Sequence, residues 1–504
     1  MPRAAAALPI SLHTAAQVRA LDAYAIDTLG IPGYTLMTRA GEAAVDVLRN
    51  AWPAARRILV VCGPGNNGGD GYVLARRARE LEYEVSVVSV VNPSSLRGDA
   101  RRAWQDYVAS GGSTRAWSPE CVRGVDVIVD AMLGTGLARP VGAEIAACIA
   151  GINGAGVPVL AIDIPSGLHA DTGAVLGAAV EARRTISFVG LKVGFYLDRG
   201  PDYTGDIHFD GLGIPADAAE RIGMVGVRLD EQVLATALPP RRRSAHKGQN
   251  GHVLVIGGNL GMAGAARMAG EAALRVGAGL VTVATRPGNV AGIVAARPEL
   301  MARGVDDGAQ LASLLERATV LAVGPGLGQD AWARDLLTQA LASGKPAVLD
   351  ADALNLLAPM FEQGGVPRHD WILTPHPGEA ARLLGTSVAE IQSRRLDCAQ
   401  AIARRYGGVA VLKGAGTVVA REGVLPAFCD RGNPGMATGG MGDVLTGVIA
   451  GIVAQGADLH TAACAGVLVH ATAGDLAARN GERGLIATDL FVHLPACVNP
   501  SLSR

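Results

Sequence analysis

The stretch Ala437-Thr438-Gly439-Gly440-Met441-Gly442-Asp443-Val444-Leu445-Thr446-Gly447 sets a carboxylate just inside a glycine-rich turn. Its glycines leave the backbone bare and able to take positive φ. Val444, Leu445, Val448, Ile449 and Ile452 follow at helical spacing, so a helix is expected to start near Gly442. Backbone N–H groups at a helix N-terminus hold anions. A carboxylate there repels a phosphate, and the chemistry that gives Asp443 work is taking the proton of a hydroxyl that meets a phosphoryl group. The plainer reading is an acid in the first turn, where the helix dipole favours it.

Similar groups recur at the ends of apolar runs. Arg57-Ile58-Leu59-Val60-Val61-Cys62 has the composition of a strand buried on both faces. It runs into Gly63-Pro64-Gly65-Asn66-Asn67-Gly68-Gly69-Asp70-Gly71, then a helical pattern through Val73, Leu74, Ala78 and Leu81. Residues 63–68 satisfy G-x-G-x-x-G, so a plain dinucleotide fold is one reading. The two Asn side chains and Asp70 add oxygen ligands and amide donors that such a fingerprint does not need. Further strands are expected at 84–91, 125–131, 157–164 and 184–189. Two of them end in acids: Asp130 before Met132-Leu133-Gly134-Thr135-Gly136, and Asp163 in Asp163-Ile164-Pro165-Ser166-Gly167. In an open α/β sheet the carboxyl ends of the strands border one crevice, so Asn67, Asp130, Asp163 and Ser166 are expected to converge.

The second half repeats the design. Strands are expected at 253–256, 280–284, 320–323, 346–350, 371–374 and 409–412. Their ends carry Gly324-Pro325-Gly326-Leu327-Gly328, Asp350-Ala351-Asp352-Ala353-Leu354-Asn355, Thr374-Pro375-His376-Pro377-Gly378-Glu379 and Lys413-Gly414-Ala415-Gly416-Thr417. Two carboxylate clusters, a Lys-Gly loop and the Gly-Asp helix start make a nucleotide-phosphate and metal site.

Alternating strands and helices point to α/β architecture with mostly parallel sheets. A chain of 504 residues suggests two to four domains, and the pattern loosens after Gly213-Ile214-Pro215. The boundary is placed at 225–235, giving domains 1–228 and 229–504. Thr14 and Gln17 read as a capping box before Val18 and Leu21. The Arg241-Arg242-Arg243 run reads as a solvated connection rather than a phosphate or subunit contact. A net charge of −1 and 4% aromatic residues argue against a nucleic-acid binder. Seven cysteines without a CxxC pair suit reduced thiols in a cytoplasmic protein. Residues 1–10 are too short for a signal h-region and cleavage site, and the apolar stretch 448–470 is broken by Gln455, Asp458 and His460, so no membrane partner is expected.

Over residues 12–216, the motifs around Asn66, Asp130 and Asp163 resemble an NAD(P)H-hydrate epimerase domain, a Rossmann-like three-layer fold. The resemblance implies that Asn67, Asp130 and Ser166 hold a potassium ion and that Asp163 is the acid/base at the hydrated carbon. It also implies that Asn66, Asn67, Gly68, Gly69, Asp70, Gly134, Thr135, Gly136, Leu137, Ala138, Arg139, Pro140 and Asp163 bind substrate. Residues 230–500 resemble the ribokinase-like superfamily and, within it, the ADP- or ATP-dependent NAD(P)H-hydrate dehydratases. By that resemblance Lys413, Gly414, Ala415, Gly416, Thr417 and Gly442 line the adenine-nucleotide site. Ala265, Gly326, His376 and Asp443 contact the hydrated nicotinamide nucleotide, and Asp443 is the catalytic carboxylate. Glu379 matches a magnesium-associated Glu of related kinases, although His376 stands where those kinases carry Asn. Together the two halves imply repair of hydrated NADH and NADPH, with potassium, magnesium and ADP or ATP, in a homo-oligomer. The rival enzyme reading is a small-molecule kinase fused to a dinucleotide-binding regulatory domain, and the rival non-enzyme reading makes the first domain a binding module only.

Overall fold

The computed structural model describes residues 8–499. By contact the chain divides into two compact units, 1–227 and 228–504. The expectation about a signal segment falls largely on residues 1–7, outside the described residues.

The first unit is built on a seven-stranded sheet in the order Thr114–Arg115, Glu84–Ser89, Arg57–Cys62, Val127–Ala131, Val159–Ile162, Arg184–Phe188 and Asp206–Asp210. Every pairing in it is parallel. The continuous apolar run 58–62 is buried because both faces are covered. Ile58, Val60 and Cys62 join one core cluster with Leu36, Val73 and Ala103, and Leu59 and Val61 join another with Ile149 and Met132. Helices Gly33–Ala51, Asn66–Glu80 and Gly98–Ala109 supply the first cluster, and Ala143–Asn153 the second. These are the three layers of a Rossmann-like fold. The chain leaves Arg57–Cys62 in one direction and continues from Val127–Ala131 in the other, so the strand order switches between them. Ligands bind outside the carboxyl ends of strands at such a point.

Thr114–Arg115 and Asp206–Asp210 were not expected as strands: the first has two residues, and the second alternates polar and apolar. The expected capping box at Thr14 and Gln17 starts helix Ala15–Ala23. Ahead of it, Ser11–His13 pairs in parallel with Leu191–Lys192, with His13 opposite Lys192.

The second unit carries strands in the order Met301–Gly304, Leu280–Thr285, His252–Ile256, Val320–Val323, Ala347–Leu349, Trp371–Leu373, Val409–Leu412, Thr417–Arg421 and Ala427–Cys429. Pairing is parallel up to Val409–Leu412 and antiparallel for the last two. The expected Lys-Gly loop is therefore a hairpin turn. The expected helix start at Gly442 is realised as Met441–Ala454, entered through Gly440 at φ +92°. The next helix is long and apolar enough to cross a membrane, but 67% of its apolar window is buried inside the protein, as a core helix would be. The Arg run is exposed, as a solvated connection would be, and Arg241 donates to the Gly277 carbonyl at 2.6 Å and to Gln455 Oε1 at 2.5 Å, both within this unit.

Helix Met441–Ala454 lies against Ala263–Arg275 so closely that a Cβ on Gly447 would stand 2.0 Å from the Ala269 carbonyl oxygen. Only a bare backbone fits there, and this approach carries Asp443 to the sheet end. Gly447→Val is expected to destabilise the second unit by about 2–3 kcal/mol through overpacking. Urea unfolding checks it, and an unchanged midpoint would mean that the two helices are not in backbone contact at this residue.

Candidate active sites at the two sheet ends

In the first unit a cleft of about 670 Å³ lies at the switch in strand order. Its lining includes Asn66, Asn67, Asp70, the segment 134–140 and Asp163, all expected from the sequence. Gly68 and Gly69 are not in that lining. A Cβ on Gly68 would stand 2.2 Å from the Gly63 carbonyl oxygen, and one on Gly69 would stand 2.5 Å from Met37 Cε. These two glycines let the helix start pack rather than present a surface. Gly63 in turn comes so close to the next strand end that its Cβ would lie 1.7 Å from the Met132 carbonyl oxygen.

Asp130 and Ser166 are buried and joined: Ser166 Oγ donates to Asp130 Oδ1 at 2.6 Å and Ser166 N–H to Oδ2 at 2.7 Å. Asn67 donates from Nδ2 to the Leu133 carbonyl at 2.9 Å, and Leu133 N–H donates to Ser166 Oγ at 2.8 Å. The three expected ligands thus meet around Leu133. Asn67 Oδ1 is buried without a hydrogen-bond partner. Burial pushes the Asp130 carboxyl up to about 6, against the Ser166 hydrogen bonds. An orphaned carbonyl oxygen and a buried carboxylate short of positive charge fit a hard monovalent cation held by oxygen.

Asp163 follows strand Val159–Ile162 with its backbone at φ +65°, where L-residues are seldom found. Its N–H donates to the Ile186 carbonyl at 2.8 Å. Lys192 Nζ donates to Asp163 Oδ1, while Oδ2 lies 3.6 Å from where a Gly134 Cβ would stand. Lys192, with Asp22 from helix Ala15–Ala23, was missed from the sequence. Asp22 lines the cleft, and burial followed by the Asp163 charge pushes its carboxyl up to about 6. Burial, then Asp163 and Asp22, hold the Asp70 carboxyl well above the usual range. The one signal for Lys192 was a lone charge in the apolar run 188–197, which a buried strand tolerates only if the charge is paired.

In the second unit Asp350 is the hub. It is 1% exposed and accepts from Lys413 Nζ at 2.5 Å and from Thr446 Oγ1 at 2.8 Å. Burial favours its neutral form, but Lys413 outweighs this and holds its carboxyl below the usual range. Burial likewise opposes the Lys413 charge, and Asp350 and Glu379 overcome it. Gly442 roofs this pair, since its Cβ would stand 3.2 Å from Lys413 Nζ and 3.4 Å from Asp350 Oδ2. One residue further, Asp443 sits in the first turn. Burial, then the Asp350 charge, pushes its carboxyl up to about 7, with Lys413 opposing.

The turn 413–417 is shaped by Gly414 at φ +135° and Gly416 at φ +63°, and Thr417 Oγ1 closes it on the Gly414 carbonyl at 2.9 Å. Arg395, buried and unforeseen, donates to the carbonyls of Leu412, Lys413 and Gly416 at 3.1, 3.2 and 3.4 Å. Ala415 lies in that turn. Ala265 and Gly326 face each other, a Cβ on Gly326 falling 3.2 Å from Ala265 Cβ. His376 caps helix Pro377–Leu384: its Nδ1 accepts from Gly378 N–H at 2.9 Å, and its own N–H donates to Glu379 Oε2 at 2.7 Å. Burial, then Lys413, lowers its pKa, so the ring is neutral near pH 7. Glu379 does not present itself as a direct magnesium ligand: Oε2 also faces Lys413 Nζ at 3.8 Å, and Oε1 faces His376 Nε2 at 3.4 Å. No group of three or more His, Cys, Asp or Glu suited to a metal occurs among the described residues.

Fold and sites define a two-domain α/β protein whose second unit is ribokinase-like and carries a carboxylate at a glycine-rich helix start. A family model described as NAD(P)H-hydrate dehydratase matches residues 253–496, and one described as YjeF-related protein N-terminus matches residues 33–194. A bifunctional NAD(P)H-hydrate repair enzyme from Coxiella burnetii is 49% identical, over 97% of this chain and 99% of its own. One from Escherichia coli is 47% identical, over 98% and 95%. A solved ribokinase-like superfamily protein from Enterococcus faecalis is 33% identical and covers 54% of this chain and 95% of its own, with a TM-score of 0.50. The chain belongs to the family of bifunctional NAD(P)H-hydrate repair enzymes.

Lys413 is the cation that Asp350 and Glu379 share. Lys413→Met is expected to destabilise the second unit by about 3–5 kcal/mol, the cost of leaving a buried carboxylate unpaired. Adding Asp350→Asn should recover much of that loss. Denaturant unfolding of both variants checks it, and equal stability of Lys413→Met and wild type would mean that the pair is not buried as described.

Proposed function

We propose that the first unit interconverts the R and S hydrates of NADH and NADPH, and that the second dehydrates the S hydrate at the expense of ADP or ATP. The observation that carries the second half is Asp443: an acid raised to about 7, at a helix start that favours phosphate, one residue from the roof of a Lys413–Asp350 pair. Asp443 takes the proton of the hydrate's C6 hydroxyl as that oxygen attacks the terminal phosphoryl group of the nucleotide. The C6–O bond then breaks and phosphate leaves with the oxygen, while a proton is lost from C5. The C5–C6 double bond of the reduced ring returns. Hydroxide is a poor leaving group and phosphate a good one, which is why a kinase-like site suits a dehydratase.

The turn 413–417, held by Arg395, and Gly442 receive the nucleotide. Ala265, Gly326 and the neutral His376 receive the hydrated nicotinamide nucleotide. Magnesium would arrive with the nucleotide phosphates, and no step depends on an ion at Glu379. In the first unit Asp163 moves the proton at the hydrated carbon, and segment 134–140, with Asn66, Asn67 and Asp70, holds the substrate. Asn67, Asp130 and Ser166 would hold a potassium ion, which would supply positive charge at the cleft. Residues 1–228 and 229–504 act as separate domains, since no step needs a group from the other half.

A base must be ionised to act, so dehydration is expected to fall as pH drops through about 7, where Asp443 takes up its proton. Asp443→Asn should lose roughly 10²–10⁴-fold in rate and lose that acidic limb. Rates of nucleotide-dependent dehydration from pH 5.5 to 9 check it at roughly half-unit steps. A variant retaining more than about a tenth of the wild-type rate would remove Asp443 as the base.

A further inference from the structure

Lys192, which no motif announces, is 0% exposed at the end of strand Leu191–Lys192. An ammonium carries three donors. Here they go to Asp163 Oδ1, to Ser187 Oγ at 2.9 Å and to the Phe188 carbonyl at 3.2 Å. A buried charge needs a charged partner, and the partner here is Asp163. Strand register fixes the place, because Leu12 lies opposite Leu191 and His13 opposite Lys192. His13 is buried with neither ring nitrogen hydrogen-bonded. Burial and then the Lys192 charge lower it to about 4, so it stays neutral and adds no second cation.

Asp22 from helix Ala15–Ala23 and Asp70 from helix Asn66–Glu80 share the cleft lining with Asp163, as do Arg19, Asp99 and Arg139. Lys192 is the cation hydrogen-bonded to Asp163. The same contact ties down one carboxylate oxygen and leaves the other on the Gly134 side of the cleft.

We propose that Lys192 is the positioning residue of the epimerase reaction: it holds one carboxylate oxygen of Asp163 and so turns the second to the substrate. This rests on the assignment of epimerisation to the first unit. Lys192 itself, fully covered and with its donors spent, does not reach the substrate.

The test uses the full chain and a purified R hydrate, with kcat and KM of epimerisation measured separately. Lys192→Met should lose at least about tenfold in kcat with KM nearly unchanged, because the substrate keeps its own contacts while Asp163 loses its orientation. Lys192→Gln, whose amide can still donate to Asp163, should lose less, and it is read in place of Lys192→Met if that variant does not fold. Lys192→Arg, which keeps charge and donors, should stay near wild type. A wild-type kcat in both neutral variants, or a loss carried by KM, overturns the proposal and leaves Lys192 a packing residue. Asp163→Ala separates the two levels. If it abolishes epimerisation while the neutral Lys192 variants keep the wild-type kcat, Lys192 does not position it. If Asp163→Ala still epimerises at the wild-type rate, the assignment of Asp163 fails as well.

Discussion

An ammonium set against a strand-end carboxylate, fully covered in the first unit and largely covered in the second, is the interaction on which each unit depends. Lys192 faces Asp163 in the first unit and Lys413 faces Asp350 in the second. Taking two charges out of water costs several kcal/mol per ion, and their attraction repays it only when further hydrogen bonds complete the site. Ser187 and Phe188 complete one pair, and Thr446 helps complete the other. The units differ in where this leaves reactivity. In the first, the paired acid is the one at the cleft. In the second, the pair is roofed by Gly442, and the neighbouring Asp443, raised by burial and then by the Asp350 charge, rises to about 7.

Glycine makes these contacts geometrically accessible. Gly63 meets the Met132 backbone and Gly447 meets Ala269, each at a distance that a side chain would prevent, and Gly442 leaves room for Lys413. The glycine-rich motifs thus bring strand ends and helix starts together, and only some of their members line a cleft. Gly68 and Gly69 show this: they belong to the same motif as Asn67 yet serve packing.

Much of this was legible in the sequence because its signals are local. Buried parallel strands read as continuous apolar runs, and the acids Asp130, Asp163 and Asp350 follow such runs directly, so the sheet ends could be placed before the sheet was seen. Short strands escaped, since Thr114–Arg115 and Leu191–Lys192 have two residues each and carry no period. The long-range partners escaped as well. Asp22 lies on a helix with no motif, and Lys192 follows Asp163 by twenty-nine positions. Arg395 reaches its turn from helix Arg395–Tyr406. Nothing local marks a residue whose role is to neutralise or brace another. The Lys413 loop was found but its form was not, because hairpin pairing with Thr417–Arg421 is a property of the sheet.

Two sites in one chain, an epimerase and a dehydratase, serve the repair of one damaged nucleotide. The most direct measurement supplies the full-length protein with a mixed R and S hydrate of NADPH and excess ADP or ATP. Reduced-ring absorbance and released phosphate are followed together, over a time too short for spontaneous epimerisation. Recovery of the whole mixture is expected, with one phosphate released per ring restored. Recovery that stops at the S fraction would contradict the role of the first unit, and a stable phosphorylated alcohol in place of the reduced ring would contradict that of the second.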